Sequence, residues 1–154
     1  MARSDNLEMT KRSIKNKTVA TWLAFVFGQL GVHRFYLFGA KDVLAWLHPL
    51  AAAAGWWGVL RMRTLGQDDK LAWVLLPILG VLIAATAITA IYYGLCSSEK
   101  WNHTHNPQQL ESPAGNTNWL VIIAVAFSLL MGATALMASL AFTFQRYFET
   151  QQSP

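Results

Sequence analysis

The sequence predicts an all-α membrane protein whose four transmembrane helices form two antiparallel hairpins. Three observations predict it. The chain has 154 residues, 54% of them hydrophobic and only 13% charged, too apolar for an ordinary soluble domain of this size. The apolar residues are bunched: 43–60, 71–96 and 119–144 contain no Asp, Glu, Lys or Arg, and a helix of about 20 such residues crosses a hydrocarbon core. The tryptophans gather where those runs begin and end, as an interfacial aromatic belt does.

Residues 1–16 are polar and basic and read as a cytoplasmic tail held near anionic lipid. No small-residue cleavage site follows them, which predicts an uncleaved anchor rather than a signal peptide. The first span, 18–32, is short. The HRFYLF stretch extends it, and Arg34 can snorkel towards the headgroups. Ala20, Ala24, Gly28 and Gly31 recur at helical spacing and make a small-residue groove for close helix packing. Gln29 beside that groove calls for a hydrogen-bond partner, because an unsatisfied amide in lipid is costly. Residues 31–42 form a turn containing His33, Arg34, Phe35, Tyr36 and Asp42. Within it Arg34 is expected to pair with Asp42 or a lipid phosphate, and Phe35 and Tyr36 to anchor the interface.

The second span starts at Val43 and carries His48 and Pro49 early. Leu-Ala-Trp occurs at 44–46 and again at 71–73, which is too short to establish a duplication and fits two helix starts at an interface. Residues 63–70 are a short mixed-charge cytoplasmic loop turning at Gly66. The second hairpin, 71–145, has Pro77 and Gly80 in its first helix, a polar loop at 97–118, and Ser128, Gly132 and Ser139 in its second. Residues 146–154 read as a C-terminal tail.

Nine of the twelve Lys and Arg fall on the tail, the 61–70 stretch and Arg146, against Arg34, Lys41 and Lys100 elsewhere. By the positive-inside rule both termini are then cytoplasmic, and the 31–42 turn and the 97–118 loop face the outer side. In a bacterial inner membrane that side is the periplasm.

Few catalytic chemistries are open to this chain. Walker loops, HExxH and paired carboxylates are absent from the sequence. A single cysteine, Cys96, excludes an intramolecular disulfide. His103 and His105 alternate without further ligands at fixed spacing, so no metal and no cofactor is expected. The basic residues border apolar spans rather than forming a soluble patch, which points to lipid and away from nucleic acid. The reading is of a membrane protein without enzymatic activity, docking to a membrane or periplasmic protein, or to a second copy of itself, through the HRFYLF turn. One alternative is a small transporter or channel component, with Gln29, His33, Arg34 and His48 lining a vestibule for a polar or anionic solute. A weaker one is a metal- or haem-binding membrane protein.

The stretch KNKTVATWLAFVFGQLGVHRFYLFGAKDVLAWL resembles the TM2 domain-containing family, bacterial type, in which a Lys-rich lead-in, a first helix ending in glycines, an HRFYLG turn and a second helix follow one another. Gly31, His33, Arg34, Phe35, Tyr36, Leu37 and Gly39 correspond, Phe38 is inserted, and the resemblance covers roughly residues 15–62, with the two-helix domain itself placed at 17–62. It implies a two-helix membrane hairpin with no established enzymatic activity. It also implies, from the animal members, a cytosolic turn, opposite to the orientation that the charges give.

Overall fold

The computed structural model describes residues 14–152; residues 1–13 of the basic tail and 153–154 lie outside the described residues. The described chain is all helical and has no strands. Six α-helices follow in order: α1 (Lys17–Phe27), α2 (Val32–Phe38), α3 (Val43–Leu65), α4 (Lys70–Leu95), α5 (Ser98–His105) and α6 (Trp119–Gln152). Short 3-10 turns occupy Gly28–Leu30 and Pro113–Gly115. Among the described residues three helices, α3, α4 and α6, are long and apolar enough to cross a membrane. Pro49 and Pro77 lie inside α3 and α4 without ending them. α6 continues to Gln152, through most of the segment expected to be a tail.

The expected first span is the main departure. α1 ends at Phe27, and Gly31, at φ 70°, turns the chain through a left-handed conformation into the short α2. α2 doubles back on α1: the Asn16 backbone N–H donates to the Tyr36 hydroxyl at 2.9 Å. From Lys17 to Leu30 the chain covers roughly 20 Å at helical rise, short of a core of about 30 Å. Gly28 rests on Thr86, partway along α4. The hairpin therefore enters and returns at one end of the bundle.

That end is the one where α4 finishes and the 97–118 connection begins. Lys17 Nζ donates to the Cys96 carbonyl at 2.5 Å and to Thr117 Oγ1 at 2.6 Å. The turn at Gly66 and Asp69 lies at the other end of α4, about 39 Å away along 26 residues. Lys15 to Lys17 thus share an end with the 97–118 connection and not with the 61–70 stretch, contrary to the sequence-based expectation. The reason is the left-handed turn at Gly31, which charge and hydropathy do not register.

α4 is the central helix, flanked by α3, α6 and α1. Its glycine-lined contacts are close. Gly55 and Gly58 of α3 meet Leu79 and Leu75, and Gly132 of α6 meets Ala87. In lipid, where no hydrophobic drive separates helix from tail, such small-residue contacts hold a bundle by dispersion. Large apolar side chains point outward instead, among them Leu50, Val74, Ile88, Leu129 and Met137.

The two ends of α3 carry the same device. Arg34-x4-Gly39-x2-Asp42-x-Leu44-Ala45-Trp46 and Arg61-x4-Gly66-x2-Asp69-x-Leu71-Ala72-Trp73 match position by position. In each the glycine has positive φ, 80° and 85°. In each the aspartate caps the next helix, accepting from the Leu44 or Ala72 amide. In each the arginine Nε donates to that aspartate, at 2.6 and 2.7 Å, and the tryptophan Nε1 donates to the carbonyl six residues before it, Ala40 or Gln67. Ala45 and Ala72 are both buried. The repeated Leu-Ala-Trp belongs to a longer repeated turn, built to end one helix and start the next antiparallel to it.

Candidate functional site

The polar end of the bundle gathers most of the chain's chemistry. α5 and the loop after it form a cap over α1, joined to it by a hydrogen-bonded clasp. The Asn106 side chain grips the backbone of Lys15 from both sides, accepting from its N–H at 2.7 Å and donating to its carbonyl at 3.0 Å. Trp101 Nε1 donates to the same carbonyl at 2.9 Å. Asn102 Nδ2 donates to the carbonyls of Leu110 and Ser112, and its Oδ1 accepts from Asn106. Asn102 and Asn106 stand one helical turn apart, so one face of α5 supplies both. Trp101, Asn102 and Asn106 are buried.

Lys17 is fully buried under this cap. Burial lowers its pKa, partly offset by the attraction of Cys96. Its ammonium satisfies the Cys96 carbonyl, one of the carbonyls left open at the end of α4. Lys17, Trp101, Asn102 and Asn106 were not singled out by sequence reasoning. The pair of asparagines four residues apart at 102 and 106 was the available signal.

Below the clasp lie the residues of the HRFYLF stretch, which form α2 rather than an open turn. His33 is buried, its ring 5.5 Å from His48 and 6.0 Å from Tyr93. Its Nδ1 has no hydrogen-bond partner among the described residues, while His48 Nδ1 lies 2.7 Å from the Leu44 carbonyl. Phe35 stacks edge-on with Trp46 at 5.2 Å. Tyr36 and Leu37 pack on the core of Ala20, Ala24, Ala90, Tyr93 and Trp101. Arg34 pairs with Asp42, and that guanidinium holds the Asp42 carboxyl below its ordinary range.

Ala20, Ala24, Gly28 and Gly31 are all buried. A Cβ at Gly28 would fall 2.6 Å from Thr86 Cβ, and one at Gly31 would strike the Ala45 carbonyl. Gln29 is half-buried in the 3-10 turn. His33 and His48 are brought together, but of the four vestibule residues only Arg34 lines the cavity at this end. That cavity, about 490 Å³, lies between α2, α4 and α5. His105 on its wall stacks on Trp101 at 4.4 Å. Burial, and then the charge of Lys15, lowers the His105 pKa, which favours the neutral ring. His103 is exposed. Among the described residues no group of three His, Cys, Asp or Glu stands close enough to hold a metal ion.

No curated protein and no solved structure matches the chain. Residues 13–62 match the family model of the TM2 domain, so the lead-in, the reversing hairpin and most of α3 are the part of the chain that is similar to that family.

Proposed function

We propose that this is a non-catalytic membrane protein, a docking or assembly module of a bacterial inner membrane, which crosses the bilayer three times and offers its α5 end to a partner. The observation that carries the reading is the clasp of Lys15 and Lys17 onto α5 and Cys96, which supports a hairpin that dips into the membrane and returns.

Orientation follows from charge. With the hairpin returning, Arg34, Lys41 and Lys100 share an end with Lys15 and Lys17, and the sequence before them holds Arg3, Lys11 and Arg12. Of the described basic residues five then lie at the α5 end and Arg61, Arg63, Lys70 and Arg146 at the other, and Arg3, Lys11 and Arg12 weight the first group because they precede it in the sequence without an intervening apolar run. The positive-inside rule places the α5 end in the cytoplasm and the end of α6 outside. This reverses the orientation expected from four spans and agrees with the cytosolic turn that the family resemblance implies.

The docking surface shifts as well. His33, Tyr36 and Leu37 are spent on internal packing, so they serve a partner only through the shape they support. Leu110 is an apolar side chain, 55% exposed, in the loop beyond the helix ends where no lipid tail covers it. It is an apolar contact that a protein partner would bury. A photo-crosslinking amino acid at Leu110, beside one at Leu140 on the lipid-facing side of α6, tests this in native membranes. A defined protein captured from Leu110 and not from Leu140 supports docking at this end. The same set from both positions, or none, rejects it.

A further inference from the structure

The cavity between α2, α4 and α5 is amphipathic in a directed way. Its flank is apolar and faces outward: Ile88, Tyr92 and Phe38 are 63%, 56% and 53% exposed. Ile88 and Tyr92 stand one turn apart on the face of α4 that lipid would touch. Its other end is polar, with Arg34 and Thr104, near the level where α4 ends. The Arg34 guanidinium lies 5.2 Å over the Phe38 ring. Asp42 occupies its Nε, and neither Nη has a partner among the described residues. Thr104 Oγ1 donates to the Lys100 carbonyl and keeps its lone pairs for another donor. Lys100 Nζ sits 5.5 Å over Tyr92. No carboxylate lines the cavity.

A guanidinium whose two Nη amino groups are open binds a phosphate or carboxylate in a planar, forked manner. Here it stands near the end of α4, beside the exposed apolar side chains of Phe38, Ile88 and Tyr92. The volume falls within the roughly 300–1,000 Å³ of small-molecule sites, room for a headgroup and the first part of a chain. We propose that this cavity is a binding site for one anionic membrane phospholipid, its phosphate on Arg34 and its acyl chain along Ile88 and Tyr92. The aromatic wall and sideways opening favour a lipid over a soluble anion, which would need no apolar slot.

Native mass spectrometry of the full chain in mild detergent, titrated with phosphatidylglycerol or phosphatidylcholine, tests the site. The wild type is expected to retain one phosphatidylglycerol in preference to phosphatidylcholine. Arg34→Gln is expected to weaken that retention roughly tenfold, the loss of one charge-assisted contact. Because Arg34 also caps a turn, Ile88→Trp provides a second variant. It obstructs the slot from an exposed position and is expected to weaken retention similarly, whereas Leu50→Trp on α3 leaves it unchanged. Glycerol phosphate in excess is expected not to displace the lipid. Equal retention of the two lipids, equal effects of Ile88→Trp and Leu50→Trp, or displacement by glycerol phosphate would overturn the proposal.

Discussion

Asn16 and Tyr36, twenty positions apart, meet head to tail: the Asn16 backbone N–H donates to the Tyr36 hydroxyl at 2.9 Å. Asn16 caps α1, its side chain accepting from the Thr18 and Val19 amides. Tyr36 therefore ties the returning helix to the very start of the entering one. Replacing Tyr36 by Phe removes the hydroxyl and keeps the ring, and the expected loss in stability is about 0.5–1.5 kcal/mol. Tyr36→Ala is expected to cost more, since the ring also packs on the core. Thermal unfolding in detergent, followed by circular dichroism, distinguishes the two.

The reversal depends on Gly31, at φ 70° and against the Ala45 carbonyl. An alanine there meets both a left-handed backbone and a collision. Gly39, at φ 80°, has nothing within 4 Å of where a Cβ would stand. Gly39→Ala thus incurs the backbone strain alone, about 1–3 kcal/mol for an extended positive-φ conformation that glycine alone populates readily, whereas Gly31→Ala adds the collision with the Ala45 carbonyl to its own strain and is expected to destabilise more. Equal melting temperatures for the two variants would remove Gly31 from this role.

The paired turns predict a shared response to acid. Hydrogen bonds from Arg34 and Arg61 hold the Asp42 and Asp69 carboxyls below their ordinary value. A carboxyl depressed in the folded state stabilises above the unfolded pKa, and that contribution is lost as pH falls through the folded value. Wild type is therefore expected to lose stability from about pH 4 downward, and Asp69→Asn to lose less over the same interval while starting lower. Melting temperatures between about pH 6 and pH 3 give the difference.

Lys17 predicts a slope of the same sign in the alkaline range. Its pKa is lowered by burial, so between the folded value and the ordinary 10.5 the unfolded chain holds more protons, and stability rises with pH. Lys17→Met is expected to abolish that rise. It also leaves the Cys96 carbonyl and Thr117 hydroxyl without their donor, at a cost of about 1–3 kcal/mol. Chemical unfolding at pH 7 and at alkaline pH reads both effects.

The long helices were legible because composition alone specifies them. The charge-free runs 71–96 and 43–60 correspond closely to Lys70–Leu95 and the first part of Val43–Leu65. The run 18–32 has the same composition, and only its shortness sets it apart from the other three. What decides its path is a single backbone conformation at Gly31 and the contacts of Asn106 and Trp101 with Lys15, about 90 residues away in sequence. Long-range hydrogen bonds leave no periodic trace. The Arg34 and Asp42 pairing was readable from the charges. The buried place of His33 was not, because a histidine beside an arginine reads as polar. The repeated turn was half visible as Leu-Ala-Trp, and its arginine, glycine and aspartate acquire meaning only once the Arg34–Asp42 and Arg61–Asp69 pairs are seen side by side.

The central claim is that α1 and α2 enter and leave the membrane on one side, and single-cysteine labelling tests it directly. In a Cys96→Ser background, Ile14→Cys and Asp68→Cys are compared in intact cells with a membrane-impermeant maleimide, before and after permeabilisation. Both positions are exposed. Three crossings predict opposite behaviour, with Asp68→Cys labelled from outside and Ile14→Cys protected until the membrane is opened. Labelling of both positions from the same side would contradict the reversing hairpin and restore a fourth crossing.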